Sequence, residues 1–321
     1  MSQFFSNGTA DAMASAAKHL ITGDLVAFPT ETVYGLGADA SNSEAVARIY
    51  SVKGRPSDHP LIVHIASMER MGDWAREVPE YAIALARSFW PGPVTLILKR
   101  SELAGDFITG GQDSVGVRVP DHVVALALLE AFEKAGGKGV AAPSANRFGH
   151  VSPTTAAAVV EELGNYLSKD DLVLDGGACA VGVESTIIDC TGLLPRVQRP
   201  GAISTAMIEE VTGLNTLSIE GADEIRVSGS LENHYAPAAK VHLNKTPLSG
   251  QGFIALSNIQ TPSGVIRLAS PSDDEEFAQI LYAALREADA LGLSEVVVIQ
   301  PFGIGIGVAI RDRLVRAANG R

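Results

Sequence analysis

The sequence predicts an α/β protein of two units, and three observations carry that reading. Short apolar runs of strand length alternate with segments of helical periodicity along most of the 321 residues. Hydrophobic residues make up 46% of the chain and charged residues 19%, which supplies a packed core and excludes a disordered chain. A polar stretch then interrupts the alternation about two-thirds of the way along a chain that is roughly twice the size of one ordinary domain.

The alternation opens with a helix at 10–20, for which Thr9 is a suitable N-cap, followed by a buried strand at 25–28. Ser43 is placed to cap a second helix carrying Val46, Ile49 and Tyr50, which Gly54 and Pro56 stop. Strands follow at 61–65, 94–98, 115–119, 140–142, 172–174 and 186–189, with helices at 81–89, 123–132 and 155–163 among them. This unit ends near Gly213. From 218 to 240 the periodicity fades into polar residues with Gly221, Gly229, Ser230 and Pro237, the composition of a linker. Beyond it, strands at 253–256, 265–268 and 296–299 and helices at 277–290 and 308–318 suit a small parallel sheet of Rossmann-like layout. The expected division is therefore 1–217, a linker at 218–240, and 241–321.

Charge and cysteine content narrow the function classes. The net charge is −12, and residues 241–321 hold 7 basic against 8 acidic residues, leaving 18 against 29 and a charge of −11 in residues 1–240. That sign opposes broad binding to nucleic acid or anionic lipid, so a bound anion must sit in a local pocket. Cys179 and Cys190 are too few for a disulfide framework and no Cys/His cluster has zinc spacing, so no metal ligand is expected. No basic residue precedes Lys18, and the apolar run at 296–310 is broken by Gln300, Pro301 and three glycines, short of the ~20 residues of a membrane helix. A soluble, cytoplasmic protein is expected.

Three segments carry groups suited to chemistry. Residues 28–37 leave a buried strand with Thr30 and Thr32 beside Gly35 and Gly37, which permit close backbone approach. Lys53 and Arg55 lie two residues apart at a helix end, where Gly54 and Pro56 fix a turn able to aim both cations at one anion; a solvated helix end is the plain alternative. Ser144, Asn146 and Ser152 follow a strand among small residues, a polar connection or a ligand cradle. Arg118, within a strand, needs an anionic ligand or a structural Asp or Glu if buried. Other patterns fail: Val308 stands at the third glycine position after Gly303 and Gly305, so the glycines there read as a structural turn. No Walker loop, nucleophile elbow or zincin helix is present, and His59 and His64 flank an apolar strand as structural histidines often do.

Taken together, residues 29–37, 53–56 with 60–64, 144–146 with 152–154, and 184–187 resemble the threonylcarbamoyl-AMP synthase family, in order and in spacing. The resemblance extends through Arg199, Pro200 and Gly201 to His234, Tyr235, Ala236 and Pro237, as in the longer, two-domain form. It implies a twisted open α/β sheet with a concave basic cavity. It also implies synthesis of threonylcarbamoyl-AMP from L-threonine, bicarbonate or CO2, and ATP with release of pyrophosphate. The product would pass to a tRNA threonylcarbamoyl transferase complex for modification of an adenosine next to the anticodon, with direct tRNA binding left open. By the same resemblance Arg55, Ser144, Ser152 and Arg199 contact ATP, with Asn146, Tyr235, Ser114 and His59 beside them. Lys53 and Arg55 neutralise the reacting phosphates. Thr32, His64, Arg118, Ala142 and Ser185 hold threonine, and Mg2+ is carried mainly by the ATP phosphates. Two rivals are an RNA-binding or ribosome-associated module of the same fold and a different carbamoyl-adenylate enzyme that prefers carbamoyl phosphate.

Overall fold

The structure, a computed structural model, describes residues 3–6, 10–217, 225–229 and 234–320. Ten strands form the first sheet: β1 (Gln3–Ser6), β2 (Val26–Phe28), β3 (Gly35–Asp39), β4 (Ile62–His64), β5 (Val94–Lys99), β6 (Ser114–Arg118), β7 (Val140–Ala141), β8 (Leu172–Asp175), β9 (Thr186–Asp189) and β10 (Arg196–Arg199). Their spatial order is β1-β8-β2-β3-β7-β4-β6-β5-β9-β10, with parallel and antiparallel neighbours mixed. The helices of this unit are α1 (Ala10–Thr22), α2 (Ser43–Lys53), α3 (Met71–Trp74), α4 (Glu80–Phe89), α5 (Asp106–Thr109), α6 (Val123–Lys134), α7 (Ala156–Leu163) and α8 (Thr205–Thr212). The proposed N-cap Thr9 lies outside the described residues.

Strand alternation sorts the core onto two faces of this sheet. Val26, Phe28, Val140, Ala142, Leu172 and Leu174 pack with α1 and α6. The intervening Ala27, Ala141 and Val173 pack on the other side with Val46 and Ile49 of α2 and Leu85 of α4.

Two local readings change. The cap of α2 is Asn42, whose side chain accepts from the Glu44 and Ala45 amides at 3.0 and 3.1 Å, and Ser43 is the first helical residue. Gly54 ends the helix in the left-handed region at φ 63°. The second half of the 28–37 segment is strand β3, antiparallel to β2. Gly37 sits there because a Cβ would lie 2.8 Å from Val140 Cγ1 and 2.9 Å from the Phe28 ring. Glycine has low strand propensity, so its packing role hides the strand from pattern reading.

The second unit is a parallel sheet of β11 (Lys240–Leu243), β12 (Gly252–Ile254), β13 (Ile266–Ala269) and β14 (Glu295–Val298), ordered β11-β14-β12-β13, with α9 (Asp274–Ala290) and α10 (Ile306–Asn319). Strand β11 begins inside the segment read as linker. The Gly303–Gly307 turn packs on Asp274, since a Cβ on either glycine would fall within 2.6 Å of its carboxylate. A carboxylate in that position repels a phosphate, which fits a structural turn. The core of this unit extends into the first: Val33, Val151 and Val183 share a cluster with Tyr235, Tyr282, Leu285 and Leu314.

Candidate active site

Strand ends and their following loops converge on one cavity with several charged and hydroxyl-bearing side chains in its wall. The turn from β2 to β3 brings Thr30 and Thr32, the end of α2 brings Arg55, β4 ends in His64 and β6 in Arg118. The chain leaving β7 adds Ala142 and Ser144, the approach to β9 adds Glu184 and Ser185, and β10 ends in Arg199. Ser228, Gly229, His234 and Tyr235 of the linker complete the wall.

The three arginines are buried and each is held by backbone or hydroxyl groups. Arg118 donates to the Gly92 carbonyl at 3.3 Å and to Thr32 Oγ1 at 3.0 Å, and its Nη2 lies 2.7 Å from Glu31. Neither Glu31 oxygen has an aligned hydrogen-bond donor, so this contact is one of charge proximity. Arg199 donates to Ser185 through its carbonyl and Oγ, both at 3.1 Å, and to the Ser228 carbonyl at 2.8 Å. Arg55 reaches the Pro60 carbonyl at 3.0 Å and Ser228 Oγ at 3.3 Å, while its Nε has no partner. Burial lowers its pKa to about 10, so it is charged at neutral pH.

Nine of the expected residues line this cavity: Thr32, Arg55, His64, Arg118, Ala142, Ser144, Ser185, Arg199 and Tyr235. Five do not. Lys53 is turned away and its Nζ donates to the Ser144 and Asn146 carbonyls at 2.6 and 2.5 Å, so it props the loop that carries Ser144. Asn146 bonds the Arg147 and His150 carbonyls, both at 2.8 Å, within the same loop. Ser152 donates to Glu184 Oε1 at 2.7 Å. Ser114 lines an adjoining, mostly apolar cleft with Ile62, Ile97, Ile187 and Val227. His59 sits edge-on to Phe148 with centroids 5.5 Å apart. Glu31, Glu184 and Ser228 were not singled out as ligands or partners in the sequence, since each acts through contacts distant along the chain.

Residues 18–201 match the Sua5/YciO/YrdC family, described as "Telomere recombination". Residues 203–319 match the family described as "Threonylcarbamoyl-AMP synthase, C-terminal domain". The chain is 41% identical to the threonylcarbamoyl-AMP synthase of Pyrococcus abyssi, over 95% of this chain and 94% of that one. The chain belongs to the threonylcarbamoyl-AMP synthase family, in its two-domain form. The Bacillus subtilis threonylcarbamoyl-AMP synthase is 37% identical over 96% of this chain and 93% of that one. Among solved structures, Pyrococcus abyssi Sua5 complexed with L-threonine covers 100% of this chain and 98% of its own, at 38% identity and a TM-score of 0.88. The family comparisons bear out the mixed α/β fold, and members of the family are nucleotidyl-transferring enzymes.

Two histidines of the site make its stability pH-dependent. Burial lowers the pKa of His64 and of His234 to about 3, with Arg118 adding to the effect at His64. Between pH 6.5 and 3 the unfolded chain binds protons at these positions and the folded chain does not, so stability falls as pH drops through that window. The expected loss is about 1.4 kcal/mol per pH unit for each histidine in the lower part of that window. Thermal melts at pH 7 and pH 5 should show the decline, and His64→Gln and His234→Gln should each flatten it.

Proposed function

We propose that this chain condenses L-threonine, bicarbonate or CO2, and ATP into L-threonylcarbamoyl-AMP and releases pyrophosphate. The observation that carries the reading is the convergence of three buried guanidiniums, Arg55, Arg118 and Arg199, with Thr32, Ser144 and Ser185 on one cavity in an otherwise acidic unit. Arg118 and Thr32 suit the carboxylate and hydroxyl of threonine, with His64, the Ala142 backbone and Ser185 around them. Arg55, Arg199 and Ser144 suit phosphate oxygens, and Tyr235 encloses them from the linker side. Ser114, His59, Asn146 and Ser152 serve the nucleotide from the margins of the same region, the last two by shaping its loops.

The threonine amine adds to CO2 and releases a proton to give a carbamate, whose oxygen attacks the α-phosphorus while pyrophosphate departs in line. The protein contributes alignment, charge neutralisation and exclusion of water from a labile carbamate. Mg2+ carried by the triphosphate would help neutralise phosphate charge. A phosphate-held ion fits the wall, because its carboxylate, Glu184, already accepts from Ser152, Tyr282 and Arg313. The product would serve a tRNA threonylcarbamoyl transferase complex in the cytoplasm; among the described residues no helix is long and apolar enough to cross a membrane.

Pyrophosphate release tests the function, with threonine, bicarbonate and ATP omitted in turn. Release is expected only with all three present, and release driven by carbamoyl phosphate without threonine would replace this reading with the other carbamoyl-adenylate chemistry. Arg118→Gln should raise KM for threonine by on the order of tenfold while KM for ATP changes little, because the lost guanidinium faces the amino-acid end. Equal losses for both substrates would make Arg118 a structural partner of Glu31.

A further inference from the structure

The C-terminal unit reaches into the wall of the cavity. Arg313 of α10 is fully buried and donates through Nε to Glu184 Oε2 at 2.8 Å and through Nη2 to the Pro200 carbonyl at 3.1 Å. Tyr282 of α9 donates its hydroxyl to Glu184 at 3.0 Å, and Ser152 Oγ donates to the other oxygen at 2.7 Å. Burial by itself would raise the Glu184 carboxyl, but the Arg313 and Arg199 guanidiniums and the bonds from Arg313 and Ser152 hold it well below the usual carboxylate range. The same two residues clasp the linker: Tyr235 stacks on Tyr282 with centroids 5.7 Å apart, and the Arg313 guanidinium lies 5.3 Å from the Tyr235 ring centre.

We propose that Arg313 and Tyr282 are positioning residues through which the C-terminal unit sets the nucleotide end of the site, holding Glu184 and Ser152 from one side and Tyr235 from the other. A buried carboxylate that is fully engaged fixes its donors, so Ser152 and the backbone at Glu184 and Pro200 keep one geometry. Pro200 follows Arg199, and Glu184 precedes Ser185, to which Arg199 is bonded. Displacing Arg313 therefore moves the mount of a proposed phosphate ligand without touching substrate. The inference deepens the proposed adenylate chemistry and rests on it for its kinetic readout.

The test uses the full chain with Tyr282→Phe, which keeps the stacked ring and removes only the hydroxyl, and Arg313→Lys, with Arg313→Ala as the severe case. In folded Tyr282→Phe, KM for ATP should rise about tenfold while the dissociation constant for threonine, by calorimetry, rises by clearly less, because Arg118 and Thr32 stay in place even if Ser185 shifts. Arg313→Lys should retain more activity than Arg313→Ala. A second readout does not depend on the reaction: hydrogen exchange of the 234–239 segment should quicken in Arg313→Ala. That segment is held by the Ala236 amide on the Gly149 carbonyl and by the Ala238 and Ala239 amides on Asp289. If wild-type protein showed no threonine-dependent pyrophosphate release, the proposed function would fail and the exchange rates alone would decide the coupling. Unchanged ATP kinetics in both conservative variants, or unchanged exchange in Arg313→Ala, would overturn the proposal and leave the network a structural clamp.

Discussion

Arg55→Ala should lower pyrophosphate release by on the order of 10²-fold or more, with the fold retained. Arg55 follows the glycine that ends α2, lies on the cavity wall, and is held there by the Pro60 carbonyl and Ser228 Oγ. These contacts are neutral, so the guanidinium charge is left for a phosphate, and its buried Nε lacks any protein partner. Removing a charge that is fixed in place before reaction costs transition-state stabilisation with no new arrangement to replace it. Lys53→Ala is the informative contrast. Its amino group, whose pKa burial pushes well down, is spent on two buried carbonyls, so the variant should lose about 1–3 kcal/mol of stability as those acceptors go unpaired. Its activity loss should follow displacement of Ser144. Circular dichroism melts beside pyrophosphate kinetics separate the two, and a wild-type rate for folded Arg55→Ala would end its phosphate role.

Tyr235→Ala in the full chain is expected to lower product formation by about tenfold or more and to uncouple it from pyrophosphate release. The ring is 1% exposed, sits edge-on to His234 at 4.0 Å, stacks on Tyr282 and lies beneath Arg313, so its loss opens the linker side of the cavity. Its backbone is held at a φ of 62°, unusual for a residue other than glycine, and is fixed in that form by its packing. Water admitted there would compete for the labile carbamate or its adenylate. The ratio of threonylcarbamoyl-AMP to pyrophosphate, by mass spectrometry and phosphate assay, reports this directly. An unchanged ratio at an unchanged rate would reduce the linker to a tether.

Much of this arrangement was legible in the residues, for reasons that also mark where reading fails. The β-branched runs of β4 to β6 and β9 announce buried strands; the Lys53–Pro56 turn suggests a site because it sets two cations at a helix end, and the Ser144–Asn146 turn because its polar groups leave an apolar strand. Strand β3 escapes because its glycines are chosen for close packing against Phe28 and Val140. Strand β11 escapes because only Val241 of its four residues is buried, which resembles linker composition. For Lys53 and Arg55, spacing shows that two cations are neighbours but not that Lys53 meets the Ser144 and Asn146 carbonyls. Arg313 stands in an ordinary charged run, Arg311-Asp312-Arg313, and its partner lies 129 residues away, a pairing that no local pattern encodes. For Arg118 both alternatives coexist: a structural carboxylate, Glu31, lies beside it, and the guanidinium still faces the cavity.

The central claim is most directly tested by the identity of the product. The purified chain, given L-threonine, ATP, Mg2+ and 13C-labelled bicarbonate, should form one adenylate whose mass includes both threonine and the labelled carbon. Threonyl-AMP without the label, or a labelled adenylate that forms without threonine, would contradict it.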